Sequence, residues 1–224
     1  MRQARAFDLV VFDCDGVLVD SERLSIRLDV ELLSALGWPM TEAEIVEHFV
    51  GRTDAAMRAE IEEHLGRDVS AEWDAFAERY LAAFAAELQP VDGVAAAVDA
   101  IQDAGYATCV ASSGDHGKIR RNLAKTGLLD RFGDRLFSGD DVVNGKPAPD
   151  LFLHAAAAMG VEAARAAVVE DSRHGVEAAR AAGMWVFAYT SGVTPAAALA
   201  GPRTTPFANM RSLPALIETF EPGA

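Results

Sequence analysis

The sequence predicts an α/β protein: a doubly wound parallel sheet with helices on both faces, interrupted after its first strand by an all-helical insertion. Three observations carry this. Leu9-Val10-Val11-Phe12 is an unbroken apolar run, the pattern of a short strand buried on both faces. From residue 93 onward strand-like and helix-like stretches alternate, which implies parallel strands joined by crossover helices. Residues 21–89 carry helical periodicity alone.

The insertion reads as four helices. Leu24, Leu28, Leu32 and Leu36 recur every fourth residue, and Gly37 follows as a stop. Thr41-x-x-Glu44 is a capping-box pattern. Thr53 precedes a helix with Met57, Ile61 and Leu65 on one face, closed by Gly66. Ser70 precedes the longest, whose stripe of Trp73, Phe76, Tyr80, Phe84 and Leu88 reads as core. Gln89-Pro90-Val91-Asp92-Gly93 bounds the segment, leaving residues 1–20 and 90–224 to the sheet domain.

In that domain a helix carrying Val94, Val98 and Ile101 ends at Gly105, and a strand runs over 106–111. A helix over about 118–126, a short strand at 136–137, and a helix over 149–159 follow. Strands at 166–169 and 184–189 flank a helix over 175–182. A strand near Phe207 and a helix over 213–220 close the chain. Such a sheet places its site at the carboxyl ends of the strands, by the topological switch point.

Composition narrows the function classes. The 224 residues carry a net charge of −14 and are half hydrophobic, and the isoelectric point is 4.7. No basic cluster is present, which argues against nucleic acid and anionic membranes as partners. No apolar run has the length of a membrane span, and the start is too short in apolar residues for a signal peptide. Cys14 and Cys109, in or beside core strands, read as reduced thiols of a cytoplasmic protein. Oligomeric state leaves no mark in the sequence.

Four stretches at strand ends or loops carry candidate chemistry. Asp13-Cys14-Asp15-Gly16 follows the first strand; extended backbone would put both carboxylates on one side, and a cation must meet them if they are buried. Ser112-Ser113-Gly114 offers a hydroxyl and free backbone N–H groups to phosphate oxygens, with an ordinary N-cap as the alternative. Lys146, between Gly145 and Pro147, has a restricted place to point its ammonium; a solvated loop lysine is the alternative. Glu170-Asp171 ends a buried strand and suits a hard cation, with helix capping by Asp171 as the alternative. His116 and His174 follow two of these stretches, and no histidine and cysteine are spaced to hold zinc.

Asp-x-Asp-Gly-Val-Leu-Val-Asp-Ser-Glu, then Ser112, Lys146-Pro-x-Pro and Glu170-Asp171-Ser172, resembles the ordered motifs of haloacid dehalogenase superfamily phosphatases. Within that superfamily the chain is similar to the β-phosphoglucomutase-like branch, with a Rossmann-like core and a helical cap at residues 21–89. The resemblance implies that Asp13 is a nucleophile forming an aspartyl phosphate and Asp15 the general acid and base. It implies phosphate contacts from Cys14, Ser112, Ser113, Gly114 and Lys146. Mg²⁺ would be held by Asp13, Asp15 through its carbonyl, Glu170 and Asp171. Arg52, in Phe49-Val50-Gly51-Arg52-Thr53, is the candidate substrate contact of the cap, with a surface arginine at a helix start as the alternative. Leu136-Phe137-Ser138-Gly139 resembles sugar-phosphate hydrolases active on 6-phosphogluconate, so the expected substrate is a small phosphorylated metabolite.

The alternative is a phosphosugar mutase. Mutases of this type carry a histidine on the first cap helix and an arginine after the glycine of the next cap loop. Here those places fall near Ser25 and Asp54, which favours water as the acceptor. A receiver domain of a response regulator shares the acid pair and lysine but has no helical insertion after its first strand.

Overall fold

The computed structural model describes residues 5–49 and 54–221. The chain forms two compact units, Met1–Asp20 with Gln89–Ala224, and Ser21–Leu88. Gln89 thus falls with the sheet unit, one residue earlier than the sequence boundary; its carbonyl accepts the Asp20 N–H at 2.9 Å.

The helical unit holds α1 (Ser21–Leu36), α2 (Glu42–His48), α3 (Asp54–Leu65) and α4 (Ser70–Glu87). The leucines of α1 are buried, and Gly37 ends it at φ 92°. Thr41 and Glu44 form the capping box of α2. The aromatic stripe of α4 departs from expectation: within the helix only Phe84 is buried, while Trp73, Phe76 and Tyr80 stay half-exposed. A unit this small has too little surface to cover every side chain along an 18-residue helix. Tyr80 stacks on Phe84, centroids 4.5 Å apart, and its hydroxyl meets that of Ser25.

The sheet unit holds β1 (Leu9–Phe12), α5 (Val94–Asp103), β2 (Ala107–Ser112), α6 (His116–Lys125), α7 (Leu129–Phe132) and β3 (Leu136–Ser138). Then come α8 (Asp150–Ala158), β4 (Ala166–Glu170), α9 (Arg173–Ala181), β5 (Trp185–Tyr189), α10 (Ala196–Leu199), β6 (Thr204–Phe207) and α11 (Leu213–Glu218). All six strands are parallel, in the order β3-β2-β1-β4-β5-β6. The order reverses between β1 and β4, the topological switch point. On one face Leu9, Val11, Cys109, Val168 and Val186 pack with Leu151, Phe152 and Val176 of α8 and α9. The short helices α7 and α10 have no counterpart in the sequence reading, because four residues carry no helical period.

Register decides what meets at the carboxyl ends. Phe12 is level with Val110 on one side and Val169 on the other. The next residues, Asp13, Ala111 and Glu170, therefore stand side by side. Among the described residues no helix is long and apolar enough to cross a membrane.

Candidate active site

The loop after β1 turns at once. Asp13 donates its N–H to the Val169 carbonyl at 3.0 Å, and Cys14 O accepts from both Leu18 and Val19 N–H. Gly16 sits at φ 77°, where its missing Cβ matters: one built there would lie 2.0 Å from Asp171 Oδ2. The two aspartates thus do not share one extended strand. Asp13 is buried among the strand ends, while Asp15 Oδ2 pairs with Lys118 Nζ at 2.9 Å.

Lys146 ties the strand ends together. Its Nζ donates to Asp13 Oδ1 at 2.5 Å, Glu170 Oε1 at 2.8 Å and the Ala111 carbonyl at 3.2 Å, so one ammonium bridges β2, β1 and β4. Its side chain is 4% exposed and its Nζ lies 4.8 Å from the Phe152 ring centroid. This excludes the solvated loop lysine. Burial disfavours the ammonium, but the charges of Asp13 and Glu170 and their hydrogen bonds outweigh it and hold the group above its usual range.

Asp13, Glu170 and Asp171 offer carboxylate oxygens within 4.8 Å of one another, all three residues buried. Burial pushes the Asp13 carboxyl up to about 7, with the neighbouring Glu170 and Asp15 charges adding and Lys146 opposing. Of these three carboxylates Lys146 pairs with two, Asp13 and Glu170, and one ammonium against three acids leaves negative charge that a hard divalent cation fits. Glu170 is also held from behind, its Oε2 accepting from Ser172 N–H at 2.7 Å and Oγ at 2.9 Å. Ser172, not Asp171, caps α9, so the capping alternative for Asp171 falls away.

Three glycines line this acidic cluster. A Cβ on Gly175 would lie 1.6 Å from Glu170 Oε1, and one on Gly192 would lie 2.8 Å from Asp171 Oδ2, the same oxygen that Gly16 faces. Lys118, Phe152, Gly175 and Gly192 did not stand out in the sequence. Gly175 alone had a signal there, a glycine three residues into a helix directly after Glu-Asp-Ser.

Ser112 ends β2 and is buried. It does not cap α6, a role Asp115 takes by accepting the Lys118 N–H at 2.8 Å. The Gly114 N–H is not free as expected, because it donates to Ser112 Oγ at 3.2 Å. Ser138 Oγ, fully buried, donates to the Gly114 carbonyl at 2.7 Å and fixes that loop from β3. Ser113 is exposed, and the Cys14 thiol is buried, which raises it well above its ordinary range. Cys14 is thus left with its backbone N–H for any phosphate contact. His116 turns outward to Asp141 at 2.9 Å, and His174 is exposed. Arg52 and Thr53 lie outside the described residues.

A family model for haloacid dehalogenase-like hydrolases matches residues 7–183. The chain belongs to that family. It is an enzyme of the phosphatase kind, a phosphoric monoester hydrolase. The 6-phosphogluconate phosphatase of Escherichia coli is 31% identical over 211 residues, covering 93% of this chain and 94% of that one. The chloroplast protein SUPPRESSOR OF QUENCHING 1 of Arabidopsis thaliana is 37% identical over 180 residues, and the match spans 78% of this chain but only 17% of that relative. A haloacid dehalogenase family hydrolase from Deinococcus radiodurans, solved with phosphate and sodium bound, superposes with a TM-score of 0.82 at 28% identity, covering 94% of each chain.

Proposed function

We propose that this hydrolase is a Mg²⁺-dependent phosphatase of a small phosphorylated sugar or sugar acid, acting through an aspartyl phosphate on Asp13. The observation that carries the reading is Lys146, buried between Asp13 and Glu170 at 2.5 and 2.8 Å. That geometry opposes the effect of burial on Asp13 and sets an ammonium where a phosphoryl group needs positive charge. Mg²⁺, held by Asp13, Asp171, the Asp15 carbonyl and Glu170 directly or through water, would supply the charge that lets a carboxylate approach an anionic phosphoryl group.

Asp13 attacks phosphorus with a carboxylate electron pair. The bond to the substrate oxygen breaks, and that oxygen keeps the pair and takes a proton from Asp15. Water then attacks the same phosphorus, gives its proton to Asp15, and displaces Asp13 to release inorganic phosphate. Ser112 and the N–H groups of its loop hold phosphoryl oxygens, with Gly114 turning from Ser112 to the anion. The helical unit is read as the cap that selects substrate, with Arg52 as its contact, and the reduced thiols suit a cytoplasmic setting. Helix α1 carries no histidine, which favours water over a sugar hydroxyl as acceptor.

The substrate class is supported by the E. coli relative, named for 6-phosphogluconate. The test is phosphate release from a panel of phosphorylated sugars and sugar acids, 6-phosphogluconate among them, with Mg²⁺ or with excess chelator. Release is expected with Mg²⁺ alone, and Asp171→Ala is expected to raise the Mg²⁺ required or abolish turnover. Full activity in chelator would refute the metal. With β-glucose 1-phosphate and a bisphosphate primer, glucose 6-phosphate forming faster than free phosphate would restore the mutase.

A further inference from the structure

Asp15 is held in a way that the phosphatase reading leaves unexplained. Its Oδ2 pairs with Lys118 Nζ at 2.9 Å, while its Oδ1 is buried and, among the described residues, has no hydrogen-bond partner. The lysine's path is prepared. Lys118 lies in the first turn of α6, anchored through its own N–H by Asp115. Its stem then crosses Gly114, where a Cβ would lie 3.2 Å from Lys118 Cδ. A side chain at 114 would crowd that path, so the loop that carries Ser112 also leaves room for the lysine to reach Asp15.

We propose that Lys118 is a positioning residue for proton transfer. By holding Oδ2 it fixes the rotation of the Asp15 carboxyl group, the group that gives its proton to the departing substrate oxygen and later takes one from water. Lys118 acts through Asp15, and its side chain is 41% exposed, so its loss leaves the fold intact. The inference rests on Asp15 being the acid and base of a phosphatase.

The test uses the full chain with Mg²⁺ and a series of phosphate esters from 4-nitrophenyl phosphate, whose leaving group needs no proton, through phenyl phosphate to 6-phosphogluconate. The quantity is kcat/KM, which reports the steps up to transfer of the phosphoryl group. A whole general acid contributes on the order of 10²–10⁴-fold. For Lys118→Met we expect kcat/KM on 6-phosphogluconate and phenyl phosphate to fall about ten- to a hundredfold, and on 4-nitrophenyl phosphate less than about threefold, with Lys118→Arg restoring most of the loss. An equal fall across the series, a rise in KM with kcat unchanged, or no change would each overturn the proposal. If Asp15→Asn also loses the same factor on every ester, the acid/base reading itself fails. A flat Lys118→Met series beside a steep Asp15→Asn series removes only the lysine's role.

Discussion

Lys146 answers for two buried carboxylates at once, and its removal should therefore show in stability as well as rate. Breaking a buried pair by deleting one partner costs about 3–5 kcal/mol, because the charge left behind stays buried. Lys146→Ala is expected to lose on the order of 10²–10³ in kcat and about that much unfolding free energy in metal-free buffer. A variant with near-normal rate and midpoint would return this lysine to the ordinary loop residues. Cys109 gives an independent check. Burial pushes its thiol up to about 12 from an ordinary 9.0. Above pH 9 the unfolded chain loses a proton that the folded chain keeps, so stability must fall with rising pH by up to ~1.4 kcal/mol per unit until the folded group titrates too. Cys109→Ala should flatten that decline between about pH 9 and 12, and parallel curves for the two proteins would contradict the burial argument.

At the scale of elements, the turn from β4 into α9 does four things in six residues. Glu170 reaches Lys146, Ser172 holds Glu170 and caps the helix, and Gly175 leaves room for the Glu170 carboxylate. Gly175→Ala needs Glu170 to move aside, and a displacement of about 1 Å near reacting groups can cost 10²-fold. The expected outcome is a loss of kcat of about that size with unchanged helix content by circular dichroism; a variant within about threefold of wild type would show that Glu170 is freer than its packing suggests. The strands and long helices were legible because apolar runs and periodic faces declare themselves locally. The meeting of Asp13 and Glu170 was expected only through the motif resemblance, since no local pattern fixes the register between strands more than 50 residues apart in sequence. Lys118 and Phe152 were missed for the same reason. Each sits on a helix as an ordinary surface or core residue until the fold brings it to a strand end.

Across the whole molecule the charge of −14 opposes the substrate the site would accept. A phosphate ester must approach through a repulsive field, relieved locally by Lys146 and by the cation proposed for the acidic cluster. Added inert salt screens that far field over about 10 Å at 0.1 M, so kcat/KM for an anionic sugar phosphate should rise between low and moderate ionic strength at fixed Mg²⁺. A fall would mean that local positive charge already dominates the encounter. The central claim, that Asp13 carries the phosphoryl group, is tested most directly by acid-quenching the enzyme during turnover and locating phosphate by peptide mass spectrometry. The account predicts phosphate on Asp13, formed only with substrate and Mg²⁺, and none in Asp13→Asn, which should also lose more than about 99% of kcat. Steady turnover with no phosphorylated peptide, with phosphate on another residue, or with Asp13→Asn still active would contradict it.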